Sequence, residues 1–395
     1  MHFMTTLIQF IRKWLITTTF VFCFISGATA NIKTTGSIDS QIVNIKEETG
    51  HKNTHNNNIV TDAYLKFGMN GNADSGLKYG GMIKVNAGVP KSKKKRFYDN
   101  TKGNIAEQTM VYLEGKYGRV EIGNYTGIAN AMKVNAATFA SATGGINGDF
   151  QYYWDRDTVT TVDNPKRTMF LKTPNLPTNE LCTVGINGVN AAKVNYYTSE
   201  FSGFRFATSY TPDSKAYGTA SSVSNVLKDE NGFKNIFEFG LLYLGEIQNV
   251  GVKFGMVGEF GKNKNPANKN LKAWDAGVNL SYRGFTVGAS YGNWGRYNVP
   301  KTSNDQYTKT DYWNAGIGYA FGPFSASITH LQSKRGIESN RLRNTVLGVD
   351  YKIAAGLLSY FEFSSFKMND KQNTELKNNQ SSKGHILIAG MSLKF

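Results

Sequence analysis

The stretch MVYLEGKYGRVEIGN, from Met110 to Asn124, decides the fold class. It predicts a β-hairpin whose alternate residues form one apolar face: Val111, Leu113, Tyr117, Val120 and Ile122. Arg119 and Glu121 fall on the other face. A soluble β-protein hides its apolar face in a shared core, whereas a membrane barrel turns that face toward lipid and keeps the polar face for water. The same alternation continues to the end of the chain, which favours a membrane barrel.

Sixteen segments show this period-two pattern, an even number within the range known for outer-membrane barrels. They run over 32–45, 58–70, 76–89, 105–117, 118–124, 190–199, 203–211, 234–245, 249–260, 272–283, 284–293, 311–321, 323–333, 341–352, 356–367 and 382–395. Tight turns such as Arg283-Gly284 and Phe321-Gly322-Pro323 alternate with long polar connections without exception. Short turns at one end and long loops at the other are typical of a transmembrane barrel, since a soluble sandwich or propeller has no reason to separate them.

Aromatic residues make up 13% of the chain and often stand near the ends of the predicted strands. Examples are Tyr291, Trp294, Trp313, Tyr319 and Phe321. This position favours aromatic girdles at the two boundaries between lipid and water.

The N-terminus predicts export. Arg12 and Lys13 precede an apolar run that closes with the small residues Ala28-Thr29-Ala30, as in a secretory signal peptide cleaved before Asn31. We therefore divide the chain into a signal peptide, 1–30, and a barrel domain, 31–395. No later segment approaches the roughly 18 uninterrupted apolar residues of a membrane helix.

Charge and cysteine content narrow the function classes. The 45 Lys and Arg against 29 Asp and Glu give a net charge of +16, which becomes +14 without the signal peptide. Such a basic chain could bind nucleic acid, but export would separate it from nucleic acid. Its lysines concentrate in predicted loops such as Lys91–Arg96. Such a loop is either a solvated tip or a contact with anionic lipid head groups. Cys182 stands alone after cleavage, so an internal disulfide is excluded.

Three stretches together resemble the general trimeric porins of Gram-negative bacteria, most closely the alphaproteobacterial kind: MVYLEGKYGRVEIGN, VNYYTSEFSGFRFATSY from Val194 to Tyr210, and HILIAGMSLKF ending at Phe395. The resemblance implies an all-β fold, a 16-stranded antiparallel transmembrane barrel with a long third loop folded inward. It also implies a homotrimer in the outer membrane, surrounded by lipid and lipopolysaccharide, that passes small hydrophilic solutes. In that family a terminal aromatic marks the chain for the outer-membrane assembly machinery, and Phe395 matches it.

The predicted third loop spans about 125–189 and is the longest connection. Its Ala136–Gly145 part is too apolar for a freely solvated loop, which favours burial inside the barrel. The loop acids expected at a constriction are Asp149, Asp155, Asp157 and Asp163. The basic wall residues that inward parity nominates to face them are Lys66, Lys84, Arg119 and Arg205. The loop lacks the Pro-Glu-Phe-Gly-Gly type of motif of enterobacterial porins.

Other functions have less support in the residues. His51 and His55 have a spacing that suits a helix face, yet they stand in an Asn-rich loop, and no nucleophile motif accompanies His330 or His385. We therefore expect no enzyme, metal or cofactor site. Three alternatives stay open: a general diffusion channel with mild anion preference, a channel specific for one substrate, and a surface adhesin or antigen displayed on a barrel.

Overall fold

The computed structural model describes residues 31–48, 56–87, 106–153, 158–161, 164–168, 170–179, 190–214, 232–297, 299–302, 309–336, 340–369 and 382–395. The predicted signal peptide, the Lys91–Arg96 run, His51, His55 and Cys182 lie outside these residues. None of the helical segments in the described ranges has the length and hydropathy to span a membrane.

Sixteen strands form one closed antiparallel barrel, which confirms the predicted fold. The barrel strands are β1 Asn31–Glu47, β2 Asn57–Asn72, β3 Lys78–Asn86, β4 Ala106–Gly115, β5 Gly118–Asn124, β8 Ala192–Thr198, β9 Phe204–Asp213, β10 Phe233–Ile247, β11 Val250–Asn263, β12 Leu271–Tyr282, β13 Phe285–Gly295, β14 Thr310–Phe321, β15 Phe324–Arg335, β16 Asn340–Ala354, β17 Leu357–Asn369 and β18 Ser382–Lys394. Each strand pairs with its sequence neighbours, except that β5 pairs with β8 across the long connection and β1 closes the barrel on β18.

The connection between β5 and β8 contains structure of its own. It holds one helical turn, α1 (Ile128–Ala131), and three short 3-10 helices, Ala136–Phe139, Gly145–Asn147 and Asp149–Tyr152. Beyond these, β6 (Thr158–Thr161) and β7 (Asn164–Thr168) form a separate two-stranded hairpin that the sequence analysis did not predict.

Two-residue turns close one end of the barrel because their residues accept left-handed backbone angles. Gln248 and Asn249 have φ of 48° and 66°, and Arg283 and Gly284 have φ of 45° and 87°. Positive φ at both central positions matches the twist of a hairpin with a two-residue loop. These turns fix the register, so every strand keeps one face toward the lumen.

The C-terminus pairs with β1 at the end of the barrel that bears the two-residue turns. Gly36 and Phe395 exchange two backbone hydrogen bonds, with Gly36 N donating to Phe395 O over 2.8 Å and Phe395 N donating to Gly36 O over 3.1 Å. A Cβ atom on Gly36 would stand 2.6 Å from the Phe395 ring, so glycine is what lets the ring lie across β1. The barrel is thus closed by backbone pairing up to the last residue.

The outward rows carry apolar side chains and two layers of aromatic contacts. Near the short turns, Phe285 stacks on Tyr319 at 4.1 Å between ring centroids and Phe321 on Phe324 at 5.5 Å. Near the long loops, Trp274 contacts Tyr291 at 5.5 Å and Trp313 contacts His330 at 5.3 Å. Six residues separate Tyr319 from Trp313 along β14, about 20 Å of strand, which is close to the height of an apolar band in an outer-membrane barrel.

The assignment of Trp294 to a girdle was wrong. Trp294 is 1% exposed and its indole Nε1 donates to Asn175 O over 3.0 Å, so the ring points into the barrel. Trp294 lies three residues after Tyr291, and an odd spacing places two strand residues on opposite faces.

Candidate pore and the segment inside it

Residues 125–153 of the long connection run along the inward rows from β8 to β17 and reach β1. The contacts follow the chain around the wall: Ala129 N donates to Glu238 on β10 over 2.7 Å, and Ala136 N donates to Asn314 on β14 over 3.0 Å. Further on, Ser141 N donates to Ser327 on β15 over 2.8 Å. At its far end Tyr153 donates to Gln41 on β1 over 2.6 Å. The segment therefore lines more than half of the inner circumference.

Wall carboxylates accept the backbone amides of this segment, which would otherwise lose their hydrogen bonds with water. Glu362 accepts from Thr143 Oγ1 over 2.7 Å and from Thr143 N over 3.2 Å. Asp350 accepts from Ala142 N. Hydrogen bonds within a protein contribute roughly 0.5–1.5 kcal/mol each. These contacts, together with Glu238, attach the segment to the wall at several independent points.

Glycines on the inward rows give the segment room to lie close to the wall. A Cβ atom on Gly255 would stand 2.7 Å from Met132 O and 2.6 Å from Val134 Cγ2. The same crowding occurs along a row of neighbouring strands, at Gly240, Gly277, Gly288, Gly316 and Gly348. We call these six residues the glycine bed. Close backbone approach is one of the uses of glycine within a strand.

Residues 170–179 contact both residues 125–153 and the wall, for example through Asn175, whose side chain donates to Asn147 over 2.8 Å. All ten are buried, including Lys172 and Leu176. Thr178 N donates to Glu259 on β11 over 3.2 Å, and Ser333 on β15 donates to Leu171 O. Within the described residues, this part of the lumen is filled by protein.

The four nominated basic residues stand on β2, β3, β5 and β9, and none of them is buried. The strand register places all four on inward rows, since Lys66 pairs with Lys84, Arg119 with Tyr197, and Arg205 with Leu242. Their role at a constriction stays a prediction.

Three of these four cations have acidic neighbours on the same wall. Lys84 Nζ lies 2.9 Å from Glu107, Arg119 lies 2.8 Å from Glu121 and 3.3 Å from Glu114, and Arg205 lies 3.8 Å from Glu200. Lys66 makes no ion pair with any residue in the described ranges.

Tyrosine rings support two of the cations. The Arg119 guanidinium stands 3.8 Å from the centroid of the Tyr112 ring, and Lys84 stands 4.8 Å from that of Tyr64. Such cation–π contacts contribute about 0.5–1 kcal/mol at exposed sites. The basic side chains of this wall are thereby held against it.

Of the four nominated loop acids, only Asp149 lies within the described residues. It stands in the third 3-10 helix, where its carboxylate accepts from the side-chain amide of Gln41 on β1. Asp155, Asp157 and Asp163 lie outside the described residues.

The comparisons with known proteins match this architecture. The profile of a family described as Gram-negative porin matches residues 17–371. The chain belongs to the Gram-negative porins. An uncharacterized protein of Rickettsia bellii is 27% identical to this porin over 336 residues, covering 72% of the chain and 75% of the relative. An uncharacterized protein of Rickettsia conorii is 25% identical over 344 residues, with the same two coverages.

Solved porins share the fold. An anion-selective porin from Comamonas acidovorans superposes with a TM-score of 0.58 at 12% identity, covering 93% of this porin and 100% of that chain. An engineered mutant of the Rh. blastica porin gives a TM-score of 0.57 at 11% identity, covering 92% and 100%. OmpT of Vibrio cholerae, in its trimer form, gives 0.58 at 9% identity, covering 93% and 100%. Family and fold are those of non-enzymatic outer-membrane channels for passive diffusion.

The wall acids that hold residues 125–153 and 170–179 of this porin were not predicted from the sequence. Glu238, Glu259 and Glu362 are completely buried. Each stands on the polar face of an alternating strand, so parity alone places it in the lumen. The alternation of faces along a strand does not reveal which residue each acid accepts from, because the donors lie 81 to 219 positions away in the chain.

Proposed function

We propose that the channel discriminates weakly by charge, with a mild preference for anions. The observation that carries the proposal is the pairing of cations and carboxylates along the open wall, as for Lys84 with Glu107 and Arg119 with Glu121. A paired cation contributes little to the potential at the pore axis, since the two opposite charges cancel at distances longer than their separation. Lys66 and the basic loops leave a small positive excess, which favours anions.

We further propose that the narrowest passage lies between the inner segment and the basic wall. Asp149, Asp155, Asp157 and Asp163 would stand on one side, and Lys66, Lys84, Arg119 and Arg205 on the other. Support comes from the hydrogen bonds that hold residues 125–153 to the opposite half of the wall. Rings of charge at such a passage filter ions by size and by sign.

Planar-bilayer recordings test both proposals. We expect ohmic single-channel steps and, in a tenfold KCl gradient, a reversal potential displaced slightly toward that of chloride. Substituting Lys66 and Lys84 together by Gln is expected to move the reversal potential toward that of potassium. Lys116→Gln is the matched control because Lys116 stands in the β4–β5 turn, and it should have no effect. Clear cation selectivity of the unmodified protein would refute the anion preference, and an unchanged potential in the double variant would remove both lysines from the passage.

We also propose a homotrimer that associates through the outward face of β1 to β5. This face is mostly aliphatic, and its exposed side chains include Ile42, Ile59 and Val111. The contacts between described aromatic rings all fall between Phe204 and His385, on the other strands. Since aromatic residues are enriched at the lipid–water boundaries, the part of the wall with no contact between described rings is the better candidate for a protein neighbour. The trimer form of the Vibrio cholerae neighbour supports the proposed stoichiometry.

A pair of matched variants tests the trimer face. Val111→Trp adds bulk to β4 within the proposed interface, whereas Val287→Trp adds the same bulk to the outward row of β13. In native mass spectrometry of detergent-solubilised protein we expect trimers for the wild type and for Val287→Trp, and monomers for Val111→Trp. Trimers in all three samples would place the interface elsewhere.

Export and assembly complete the proposal. Residues 1–30 would be removed as a signal peptide, so the N-terminal sequence of the mature protein should begin at Asn31.

Phe395 would serve as the assembly signal. Phe395→Ala should then lower the amount of barrel in the outer membrane while protein refolded in detergent still closes. Equal amounts of both proteins in the membrane would refute this role.

A further inference from the structure

Strand β1 runs past the end of its neighbour β18. The pairing between them ends at Gly36, which exchanges two backbone hydrogen bonds with Phe395. Residues 31–35 continue only along β2, where Asn31 stands opposite Asn70. In the described part of the chain, no strand pairs with the other side of these five residues. We call this side of residues 31–35 the free edge.

The alternation of hydrogen bonds along an antiparallel strand shows which backbone groups the free edge presents. The N–H and C=O of one residue point to the same side, and those of the next residue point to the opposite side. Gly36 points toward β18, so Thr34 and Ile32 point in the same direction, beyond the end of β18. Both residues are exposed. Two donors and two acceptors therefore stand at this edge without a neighbouring strand.

The free edge lies at the periplasmic end of the barrel. The short turns are at the same end, as the hydrogen bond from Lys394 N to Gly356 O over 2.7 Å shows. Short turns of outer-membrane barrels face the periplasm. Seven connections lie at this end, and none is longer than five residues. The edge is therefore accessible to a partner from the periplasm.

Cations line the inward side of the free edge. Lys33 lies within it and alternates with the outward Ile32, and Lys394 follows the outward Leu393 on β18. Lys352 stands on the inward row of β16. All three lysines are exposed, and none forms an ion pair with a described residue. The inward side of the edge is therefore positively charged.

The nearest acids on the same strands are engaged inside the barrel. Asp350 accepts from Ala142 N, and Asp39 accepts from the side chains of Gln41 and Tyr360. They are held by these hydrogen bonds, so the lysines at the edge keep most of their field.

The outward side of the free edge is apolar. Ile32 is 68% exposed, and Phe395, at the point where β18 stops, is 57% exposed. Side chains of a strand alternate between its two faces. A strand added to this edge would therefore place one set of side chains beside apolar residues and the other set beside lysines.

A second copy of the chain is poorly suited to this edge. Two free edges paired with each other would bring Lys33 of both copies close together, and like charges opposite one another across strands are destabilising. Lysine on an edge strand is one of the features that prevent such self-association. The charge favours a partner whose inward-facing side chains are acidic.

We propose that the free edge of β1 binds an extended acidic segment of a periplasmic protein by β-strand addition. Main-chain hydrogen bonds to Ile32 and Thr34 supply affinity, and the alternate side chains supply specificity. Acidic residues of the partner face Lys33 and Lys394, and the apolar residues between them lie beside Ile32 and Phe395. The inference rests on the outer-membrane location of the barrel and on none of the proposals for the pore.

Fluorescence anisotropy tests the proposal with a labelled octapeptide that alternates Glu and Val as the probe. The protein is purified from outer membranes in a neutral detergent. We expect the Glu-Val peptide to bind at least tenfold more tightly than a Lys-Val peptide of the same length, with an affinity that falls as salt is added. Equal binding of the two peptides would overturn the assignment to an acidic partner.

Two variants of one residue test the main-chain contact. Thr34→Pro removes a donor of the free edge, while Lys33 and Thr35 keep their pairing with β2. Proline is tolerated on an edge strand where the N–H faces solvent. Thr34→Pro should bind the Glu-Val peptide at least fivefold more weakly, because a main-chain hydrogen bond is lost. Thr34→Val keeps the N–H and should bind like the wild type.

The same two variants define the result that refutes the contact. Equal affinity of Thr34→Pro and Thr34→Val, in samples that both show the heat-modifiable gel mobility of a closed barrel, would overturn the proposal. A peptide with N-methyl groups on alternate residues gives a second measurement that needs no variant. It should bind at least fivefold more weakly than the unmodified peptide, and equal binding would exclude strand addition.

Charge variants and competitors define the partner. K33Q/K394Q should weaken binding about tenfold, whereas K116Q/K253Q removes the same charge elsewhere at this end and should have no effect. Free glutamate at the same carboxylate concentration should not displace the peptide, and full displacement would make the edge a site for small anions. Loss of oligomers in Thr34→Pro but not in Thr34→Val would assign the edge to a second copy and overturn the proposal.

Discussion

The glycine bed predicts that one added methyl group loosens the inner segment without disturbing the barrel. In Gly255→Ala the new Cβ would meet Met132 O at 2.7 Å and Val134 Cγ2 at 2.6 Å, whereas ordinary contact begins near 3.4 Å. Both atoms belong to the inner segment, which must therefore move off β11 by about 0.7 Å. Overpacking of this kind costs typically 1–3 kcal/mol. The undocked population of the segment should rise by about 5- to 150-fold.

Hydrogen–deuterium exchange of the refolded protein measures this population. Peptides from 125–153 should exchange at least fivefold faster in Gly255→Ala than in the wild type. Peptides from β14 to β18 should keep their wild-type rates, because the barrel stays closed and only the segment opens locally. Gly251→Ala is the matched control. Its Cβ, on the same strand and the same face, meets no atom nearer than 3.6 Å, in Ser281. Equal exchange of 125–153 in both variants would show that the segment does not rest on the glycine bed.

Three other substitutions probe the interior. Glu362→Gln keeps the shape but can replace the oxygen that accepts from Thr143 by an amide NH2, so exchange of the peptide around Thr143 should rise about fivefold, which corresponds to roughly 1 kcal/mol. An unchanged rate would contradict the attachment. Lys66 makes no ion pair with another described residue, so Lys66→Glu should move the reversal potential toward that of potassium. An unchanged reversal potential would place Lys66 away from the permeation path. Trp294→Phe loses the hydrogen bond to Asn175 O, so peptides from 170–179 should exchange faster, and identical rates would argue against docking through this indole.

The strands could be predicted because the information that defines them is local. Alternation with period two and tight turns located all sixteen barrel strands to within a few residues of their observed ends, as β12 illustrates: 272–283 predicted and Leu271–Tyr282 observed. The turn Arg283-Gly284 sets this boundary through its two positive φ angles. The same parity places Trp294 on the inward face, since it lies three residues after the outward Tyr291.

The inner segment could be predicted only in outline. Length and apolar composition indicated burial, but the path of 125–153 depends on bonds such as Ala136 N to Asn314, between residues 178 positions apart. No local pattern encodes such pairs. The hairpin of β6 and β7 was missed because its strands, Thr158–Thr161 and Asn164–Thr168, are too short for a period-two signal to rise above chance.

The positions and partners of the charged residues explain why the formal charge of +16 is a poor guide to ion selectivity. On one half of the wall, Glu238 and Glu362 accept backbone amides of residues 125–153, and Glu259 accepts that of Thr178; all three are buried. On the other half, cations such as Lys84 and Arg119 are paired with neighbouring carboxylates. Outward residues such as Arg343 and Lys367 add to the total charge but face away from the lumen. Under the proposed weak anion preference, a passing ion experiences the small charge that remains after these pairings, so selectivity would depend on which charges lack a partner and much less on how many the chain contains.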